Sequence, residues 1–307
     1  MGFDTAYEAI NEDSDTHRWA YGTGFTDPLA GVDTTVPAGL DGHDLAVYCL
    51  MLGDDALIMS HRLQQWLARA PELEEDTALA NIALDLLGQA RLLLSRAGAA
   101  DGTGRTEDDF AFGRAESEFR NVRLAEGSDA DFGGLIARLL VFSTWRLALL
   151  TRLRASADPV LAAVAAQGVK ELTYHRDYAA QWTIRLGDGT DYSRQRMEAG
   201  LAAVAPQVDE LFSATAVESR LAASGAAVDP AELRPEFDEV MRTVLATGGL
   251  PTAVLTTAAL TTAVLTTAGL TTSGPAESGR DGVHTEAMGH LLAELQSVAR
   301  TLPGATW

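Results

Sequence analysis

Cysteine is almost absent from this chain, since Cys49 is the only one among its 307 residues. A single cysteine excludes an internal disulfide and a cysteine metal cluster, and it is typical of a protein in a reducing cytoplasm. Basic residues are also few: 23 lysines and arginines stand against 43 aspartates and glutamates, for a formal net charge of −20. Such an acidic protein is a poor candidate for binding nucleic acid or an anionic membrane surface.

Long apolar runs and a secretory signal are missing as well. The chain has no run of about 18 strictly apolar residues, which a membrane span would need. Residues 251–272 are the nearest approach, but threonine pairs interrupt them. The first residues include Asp4 and Glu8 and show no basic-then-apolar pattern. We therefore expect a cytoplasmic protein that does not span a membrane.

Helical periodicity is what the chain does have, most clearly between Leu52 and Ala97. An apolar stripe at spacings of three and four residues predicts the first helix of this stretch; it consists of Leu52, Ala56, Met59, Leu63 and Trp66. Pro71 suits the first position of a second helix, and Gly98 suits a left-handed stop at its end. The short connection between them predicts an antiparallel pair.

Further helices follow along the chain, and no convincing alternating strand occurs. The pattern predicts them at about 132–156, 159–186, 193–213, 230–246 and 285–302. The fold class is therefore all-α, with four long helices in a bundle and shorter helices packed around it.

The chain divides into an extension and a helical domain. Residues 1–43 are acidic, rich in glycine, proline and threonine, and predict an irregular N-terminal extension. Residues 44–307 form the helical domain, with a low-complexity insertion at about 251–274. Within it the units TAVLT, TAALT, TAVLT and TAGLT repeat with period five. A tolerant surface loop is the favoured interpretation; a short solenoid, or a helix or β-ribbon formed against a partner, is the alternative.

Asp85 lies in the middle of an almost unbroken apolar helix and is the first candidate metal ligand. A two-metal carboxylate site in a four-helix bundle needs a glutamate from each of two helices and Glu-x-x-His from the other two. Position 88, three residues after Asp85, is glycine rather than histidine. On the fourth long helix Glu171 and His175 are four residues apart, and position 172 is leucine.

The first helix adds Asp54 and Asp55, and the third long helix has no acid in its middle. Counted strictly, neither Glu-x-x-His is present, so a two-metal site is not expected. A single weak metal at Asp85, Glu171 and His175 is the remaining metal hypothesis. The structural alternative pairs Asp85 with a buried arginine, since buried acids persist when paired; the candidates are Arg62, Arg138 and Arg146. It also makes His175 a core histidine held by Glu171 on the same helix face.

Several segments of this sequence resemble the C subunits of bacterial phenylacetyl-CoA epoxidases, the PaaC family. They are LGDDALIMSHRLQQW, APELEEDTALANIALDLLGQARLLLS, KELTYHRDY, RLGDGTD and HTEAMGHLLAELQSVARTLPGATW. The resemblance covers about Asp44 to Trp307, is broken by the threonine repeat, and does not reach the first 43 residues.

The resemblance implies a ferritin-like fold and a role in phenylacetate catabolism. In that family a multicomponent monooxygenase adds one oxygen atom across the aromatic ring of phenylacetyl-CoA, giving a ring 1,2-epoxide. The di-iron centre is implied in a related A subunit, and NADPH, flavin and an iron–sulfur centre in a reductase subunit. The C subunit is implied to be a degenerate copy without a cofactor of its own that pairs with the A subunit and supports it. Asp54, Asp55, Asp85, Glu171 and His175 would then occupy the remnant of a metal site.

Three functions therefore remain open. The first is the non-catalytic structural subunit of the epoxidase. The second is a self-sufficient metal-dependent oxidase or oxygenase that uses the remnant carboxylates and His175. The third is a metal-free scaffold for another CoA-processing complex. A further hypothesis assigns CoA phosphate binding to basic residues such as Arg91, Arg96 or Lys170.

Overall fold

The computed structural model describes residues 29–252 and 278–302. All regular elements in these ranges are helical, as the sequence predicted. The longer helices are α1 (Gly42–Gln64), α2 (Leu73–Ala100), α4 (Phe132–Leu153) and α5 (Pro159–Asp188). The shorter ones are α3 (Glu107–Phe112), α6 (Asp191–Val204), α7 (Ala216–Ala223), α8 (Arg234–Thr247), α9 (Glu286–Leu295) and α10 (Ser297–Thr301).

Aspartate side chains fix where three of the four long helices begin. Asp41 accepts hydrogen bonds from the amides of His43 and Asp44, at 2.9 and 3.0 Å, at the start of α1. Asp131 accepts from the Gly134 amide at 3.0 Å to begin α4, and Asp158 accepts from Leu161 at 2.8 Å to begin α5. Each side chain satisfies a backbone donor that has no partner within its helix.

The four long helices form a bundle in which α1 pairs with α2 and α4 pairs with α5. Ser60 of α1 donates to the Ala83 carbonyl of α2 at 2.6 Å. Leu150 of α4 packs against the backbone of Gly168 of α5. A long connection, residues 101–131, joins α2 to α4 and includes α3. A four-helix bundle with one long crossover is the ferritin-like arrangement.

One glycine and one proline act differently from the sequence prediction. Gly98 lies inside α2, which continues to Ala100, and a β-carbon there would overlap the Arg105 carbonyl oxygen. Gly98 therefore permits a close approach of the following chain rather than ending the helix. Pro71 precedes α2 by two residues instead of occupying its first position.

Two of the shorter helices end before their predicted limits. Helix α6 stops at Val204, and the chain continues as 3-10 turns through Pro206, because proline supplies no amide hydrogen for a continuing helix. The predicted last helix is two helices with a break at Gln296, whose side-chain nitrogen donates to the Ala111 and Arg114 carbonyls, each at 3.0 Å.

The apolar character of the long helices reflects burial inside the bundle. Helices α2 and α4 are both long and apolar enough to pass a composition test for membrane spans. The apolar window of α4 is 94% buried within the fold and that of α2 is 50% buried. Core helices of soluble proteins pass the same test, so these two helices are weak evidence for a membrane.

The segment that follows the repeat is anchored on the connection between α2 and α4. The Thr285 amide and hydroxyl both donate to Glu126 Oε2 at 2.7 Å, and His284 Nδ1 lies 2.7 Å from Glu126 Oε1. Residues 29–41 carry no helix, yet they also contact the body, where Arg96 donates to the Thr34 carbonyl. The predictions for residues 1–28 and for most of the repeat lie outside the described residues.

Candidate functional site

Helices α2 and α5 pack antiparallel in a register that brings three of the predicted positions together. Gln89 Nε2 donates to Glu171 Oε2 at 2.8 Å. Asp85 Oδ2 lies 2.9 Å from His175 Nε2. Asp85 is four residues before Gln89 on α2, and His175 is four residues after Glu171 on α5. The surface where the two helices meet therefore holds Asp85, Glu171 and His175.

Asp85 pairs with His175, and no arginine within residues 29–252 or 278–302 pairs with it. The His175 side chain is 1% exposed, whereas that of Asp85 is 37% exposed. The prediction that Asp85 is a buried acid with an arginine partner was therefore wrong, because this face of α2 borders solvent. His175 was predicted to be a core histidine held by Glu171. It is a core residue, but its partner is Asp85 and not Glu171. Its Nδ1 atom has no hydrogen-bond partner among the described residues.

The three arginines considered as partners of Asp85 make their contacts elsewhere in the fold. Arg62 donates from Nε to the Glu126 carbonyl at 2.8 Å and from Nη2 to the Ala287 carbonyl at 2.6 Å. Arg138 pairs with Asp129. Arg146 lies in the middle of α4, with no exposed surface.

Arg146 is the centre of a polar network inside the bundle. Its Nε donates to Gln89 Oε1 at 3.0 Å, and its Nη1 donates to the Leu52 carbonyl at 3.2 Å. Gln89 in turn holds Glu171, which also accepts from Gln167 at 2.8 Å. Burial lowers the pKa of Arg146 to about 10, while the charge of Asp55 acts in the opposite direction. The guanidinium is therefore still positively charged at neutral pH.

Asp54 and Asp55 of α1 are fully buried, and each is bound by an arginine from outside the bundle. Arg114 donates two hydrogen bonds to Asp54, of which the Nη1–Oδ2 distance is 2.9 Å. Arg280 donates to both oxygens of Asp55, at 3.0 and 2.9 Å. Burial alone would lower the pKa of Arg280, but the carboxylates of Asp55, Glu218 and Glu210 together outweigh it and the pKa is raised. Both aspartates thus point to the connecting segments, where backbone amides of Arg120 and Val122 also donate to them.

These partners could not be found from the linear pattern. Arg280 is 225 residues from Asp55, and Arg114 is 60 residues from Asp54. The sequence does show one charged residue inside an apolar run, Arg146 in LLVFSTWRLALL, and this indicates a buried polar network in the bundle.

The donor set does not fit a two-metal centre. Among the described residues, three or more acidic, histidine or cysteine ligand atoms come within 4.8 Å of one another at Glu72, Glu74 and Glu75, at the start of α2. Asp85, Glu171 and His175 do not form such a group. Leu172, at a position where a ligand would be required, is a core residue with no exposed surface. The interior charge that a metal would supply comes from arginine side chains.

The CoA hypothesis for basic residues is also constrained by this geometry. Arg96 is buried and pairs with Asp158, so it is not free to bind a phosphate. Arg91 pairs with Glu107 at 3.3 Å, and Lys170 is exposed.

Comparison with known proteins agrees with the fold. The family model described as phenylacetic acid catabolic protein matches residues 33–307, and so begins ahead of the boundary predicted at residue 44. A curated relative, the C subunit of the 1,2-phenylacetyl-CoA epoxidase of Escherichia coli K12, is 41% identical over 267 residues. The alignment covers 86% of this chain and all of the relative. The chain therefore belongs to the PaaA/PaaC family of phenylacetic acid catabolic proteins.

Proposed function

We propose that this chain is the non-catalytic structural subunit of a multicomponent phenylacetyl-CoA ring 1,2-epoxidase in phenylacetate catabolism. The observation that carries the proposal is the occupation of its interior carboxylates by protein donors. Asp54 and Asp55 are neutralised by arginines, and Glu171 is held by two glutamines. The match over the whole length of the E. coli C subunit supports the same role.

The interior charges explain how such a protein is stable without a metal. A buried carboxylate is costly unless it is paired and hydrogen-bonded. In a metal-binding bundle the ions fulfil this requirement, whereas here Arg114 does so for Asp54 and Arg280 for Asp55. The result is a rigid helical body suited to packing against a related bundle.

The partners and cofactors belong to the proposal as well. A ferritin-like A subunit would hold the di-iron centre, which supplies the oxygen chemistry when bound. A reductase subunit with flavin and an iron–sulfur centre would deliver electrons from NADPH. The acidic charge and the lone cysteine support a cytoplasmic assembly without nucleic acid.

The alternative, a self-sufficient metal oxidase, has little support in the geometry. Its ligands would be Asp54 or Asp55 with Asp85, Glu171 and His175. The arginine pairs occupy both aspartates, and the remaining three residues do not converge on one point.

The deciding experiment measures iron and assembly in the same preparation. The purified chain is loaded with ferrous iron under anaerobic conditions, and we expect less than about a tenth of an iron per chain, because a site lacking its ligands binds metal weakly. Co-expression with a relative that carries both Glu-x-x-His motifs is expected to give a stable complex that binds iron. Epoxidation of phenylacetyl-CoA is expected only when the reductase is added to that complex.

Two results would contradict the proposal. One is near-stoichiometric iron in the isolated chain that is lost in both Asp85→Ala and His175→Ala. The other is an A subunit that is fully active without this chain.

A further inference from the structure

A cavity of about 280 Å³ lies between α1, α2, α3 and α9. Its walls are mainly apolar and include Leu57, Leu94, Phe112 and Leu295. No residue of α4 or α5 lines it, so it is separate from the contact surface of Asp85 and His175. The inference drawn from it does not rest on the proposed function.

The size of the cavity matches a single aromatic ring with a short substituent. An apolar cavity of about 150 Å³ is known to hold benzene, and ligand pockets begin at roughly 300 Å³. The volume here falls between these two and close to the second. Apolar walls of this kind favour the binding of a ligand whose apolar surface is removed from water in the complex.

His61 lines the cavity, but its Nε2 atom is covered by neighbouring atoms. Its Nε2 is buried without a hydrogen-bond partner among the described residues, and the nearest acid oxygen, on Glu294, is 4.0 Å away. The neighbouring Ser60 hydroxyl is engaged, since it donates to Ala83 at 2.6 Å and accepts from Gln64 at 3.2 Å. Burial lowers the pKa of His61, so at neutral pH the ring is uncharged and one nitrogen accepts a hydrogen bond.

The exposed edge of the cavity carries a net negative charge. Glu107 is paired with Arg91 at 3.3 Å and accepts from the Ser95 hydroxyl at 2.9 Å. Asp108 also lines the cavity, is exposed, and makes no ion pair within the described ranges. Two carboxylates against one guanidinium leave an unpaired negative charge at the entrance, which favours a cation over an anion.

We propose that this cavity is a binding site for a small aromatic amine whose ring contacts the apolar walls and whose ammonium group faces Asp108. An aryl carboxylate of the same size is disfavoured, because its charge meets Asp108 and the chain as a whole is strongly acidic.

The test uses three ligands that differ in charge but hardly in shape: benzylamine, benzyl alcohol and benzoate. Each is titrated into the full-length chain at pH 7 by isothermal calorimetry, with methyl NMR of labelled leucines to locate the site. We expect benzylamine to bind about tenfold more tightly than benzoate, with benzyl alcohol between them. The reason is that the exposed carboxylate of Asp108 attracts the ammonium group of benzylamine and repels the carboxylate of benzoate, so the two effects add. Shifts are expected at Leu57, Leu94 and Leu295.

Two variants separate the charge from the cavity. Asp108→Asn is expected to weaken benzylamine about two- to fivefold and to leave benzyl alcohol unchanged. The control Asp177→Asn, at an exposed aspartate on α5, is expected to change neither. Ala90→Leu, which fills part of the cavity, is expected to abolish the binding of both benzylamine and benzyl alcohol.

Three outcomes overturn the proposal. The first is that benzoate binds as tightly as benzylamine. The second is that the Asp108→Asn variant keeps the same preference for benzylamine over benzyl alcohol. The third is that, at millimolar ligand, the NMR shifts of Leu57, Leu94 and Leu295 do not change or other leucines shift instead.

Discussion

Arg280 forms a two-pronged ion pair with Asp55, a residue 225 positions earlier in the chain. Both side chains are buried, and Arg280 Nη1 also donates to the carbonyls of Met51 and Arg120, at 3.0 and 2.7 Å. The pair therefore joins three parts of the chain: helix α1, the connection between α2 and α4, and the segment after the repeat.

Replacement of Arg280 by methionine is expected to lower the free energy of unfolding by about 3–5 kcal/mol. The reason is that Asp55 would be left as a buried carboxylate without a counter-charge. Urea unfolding followed by circular dichroism measures the change. The double variant Asp55→Leu/Arg280→Met is expected to be more stable than Arg280→Met alone, because it buries no unpaired charge.

The matched control is Arg242→Met, since Arg242 pairs with Glu239 on the exposed face of α8. Its effect is expected to stay within about 0.5 kcal/mol. An Arg280→Met variant that is no less stable than Arg242→Met would show that the buried pair contributes nothing net.

Gly98 and Gly88 offer a second matched comparison, since both lie within α2. A β-carbon at Gly98 would overlap the Arg105 carbonyl oxygen, whereas one at Gly88 would meet nothing within 4 Å. Gly98→Ala is expected to destabilise the chain by at least about 2 kcal/mol, because backbone would have to move. Gly88→Ala is expected to stabilise it by about 0.5–1 kcal/mol through helix propensity. Equal thermal midpoints for the two variants would contradict the assigned role of Gly98.

The sequence predicted the four long helices well because their signals are local, whereas the short helices α3 and α7 were not predicted. Asp131 and Asp158 lie next to the helix starts that they cap, and Asp158-Pro159 placed the start of α5 correctly. The errors fell where a local pattern competes with tertiary contacts. Gln296 breaks the last helix because its side chain is bound to carbonyls of another segment, and nothing within residues 285–302 encodes that.

Three of the five predicted site positions, Asp85, Glu171 and His175, lie together, but their pairing was not predictable. Spacing placed Asp85 and His175 on facing helices, and the structure brings them together. The register between α2 and α5 decides which residues lie opposite each other. Because the sequence does not reveal that register, it gives no preference for His175 over Arg146 as the partner of Asp85. The arginines that bind Asp54 and Asp55 come from connecting segments without periodicity, so no helical pattern could identify them.

The absence of a fitting donor set among the described residues predicts a thermal midpoint that does not depend on metal. A ligand that binds the folded state raises stability according to its concentration and affinity. We expect the midpoint of the isolated chain to change by less than about 1 °C when ferrous iron or a strong chelator is added, because the carboxylates already have protein partners. Differential scanning calorimetry measures it, with an iron-binding ferritin-like relative as the positive control. A midpoint that falls on chelation would reveal a resident metal.

His61 predicts a pH dependence of stability that one substitution should remove. Burial lowers its pKa below the ordinary value of 6.5, Arg62 acts in the same direction, and Glu294 opposes both. As pH falls through 6.5 the unfolded chain takes up a proton at this histidine before the folded chain does, so stability decreases on acidification. His61→Gln lacks this uptake and is expected to lose less stability than the native chain between about pH 7.5 and pH 5.5. The matched control is His290→Gln, whose side chain is 81% exposed, and its urea midpoints are expected to follow the native profile. If His61→Gln and His290→Gln have the same slope over this range, His61 is not buried in its uncharged form.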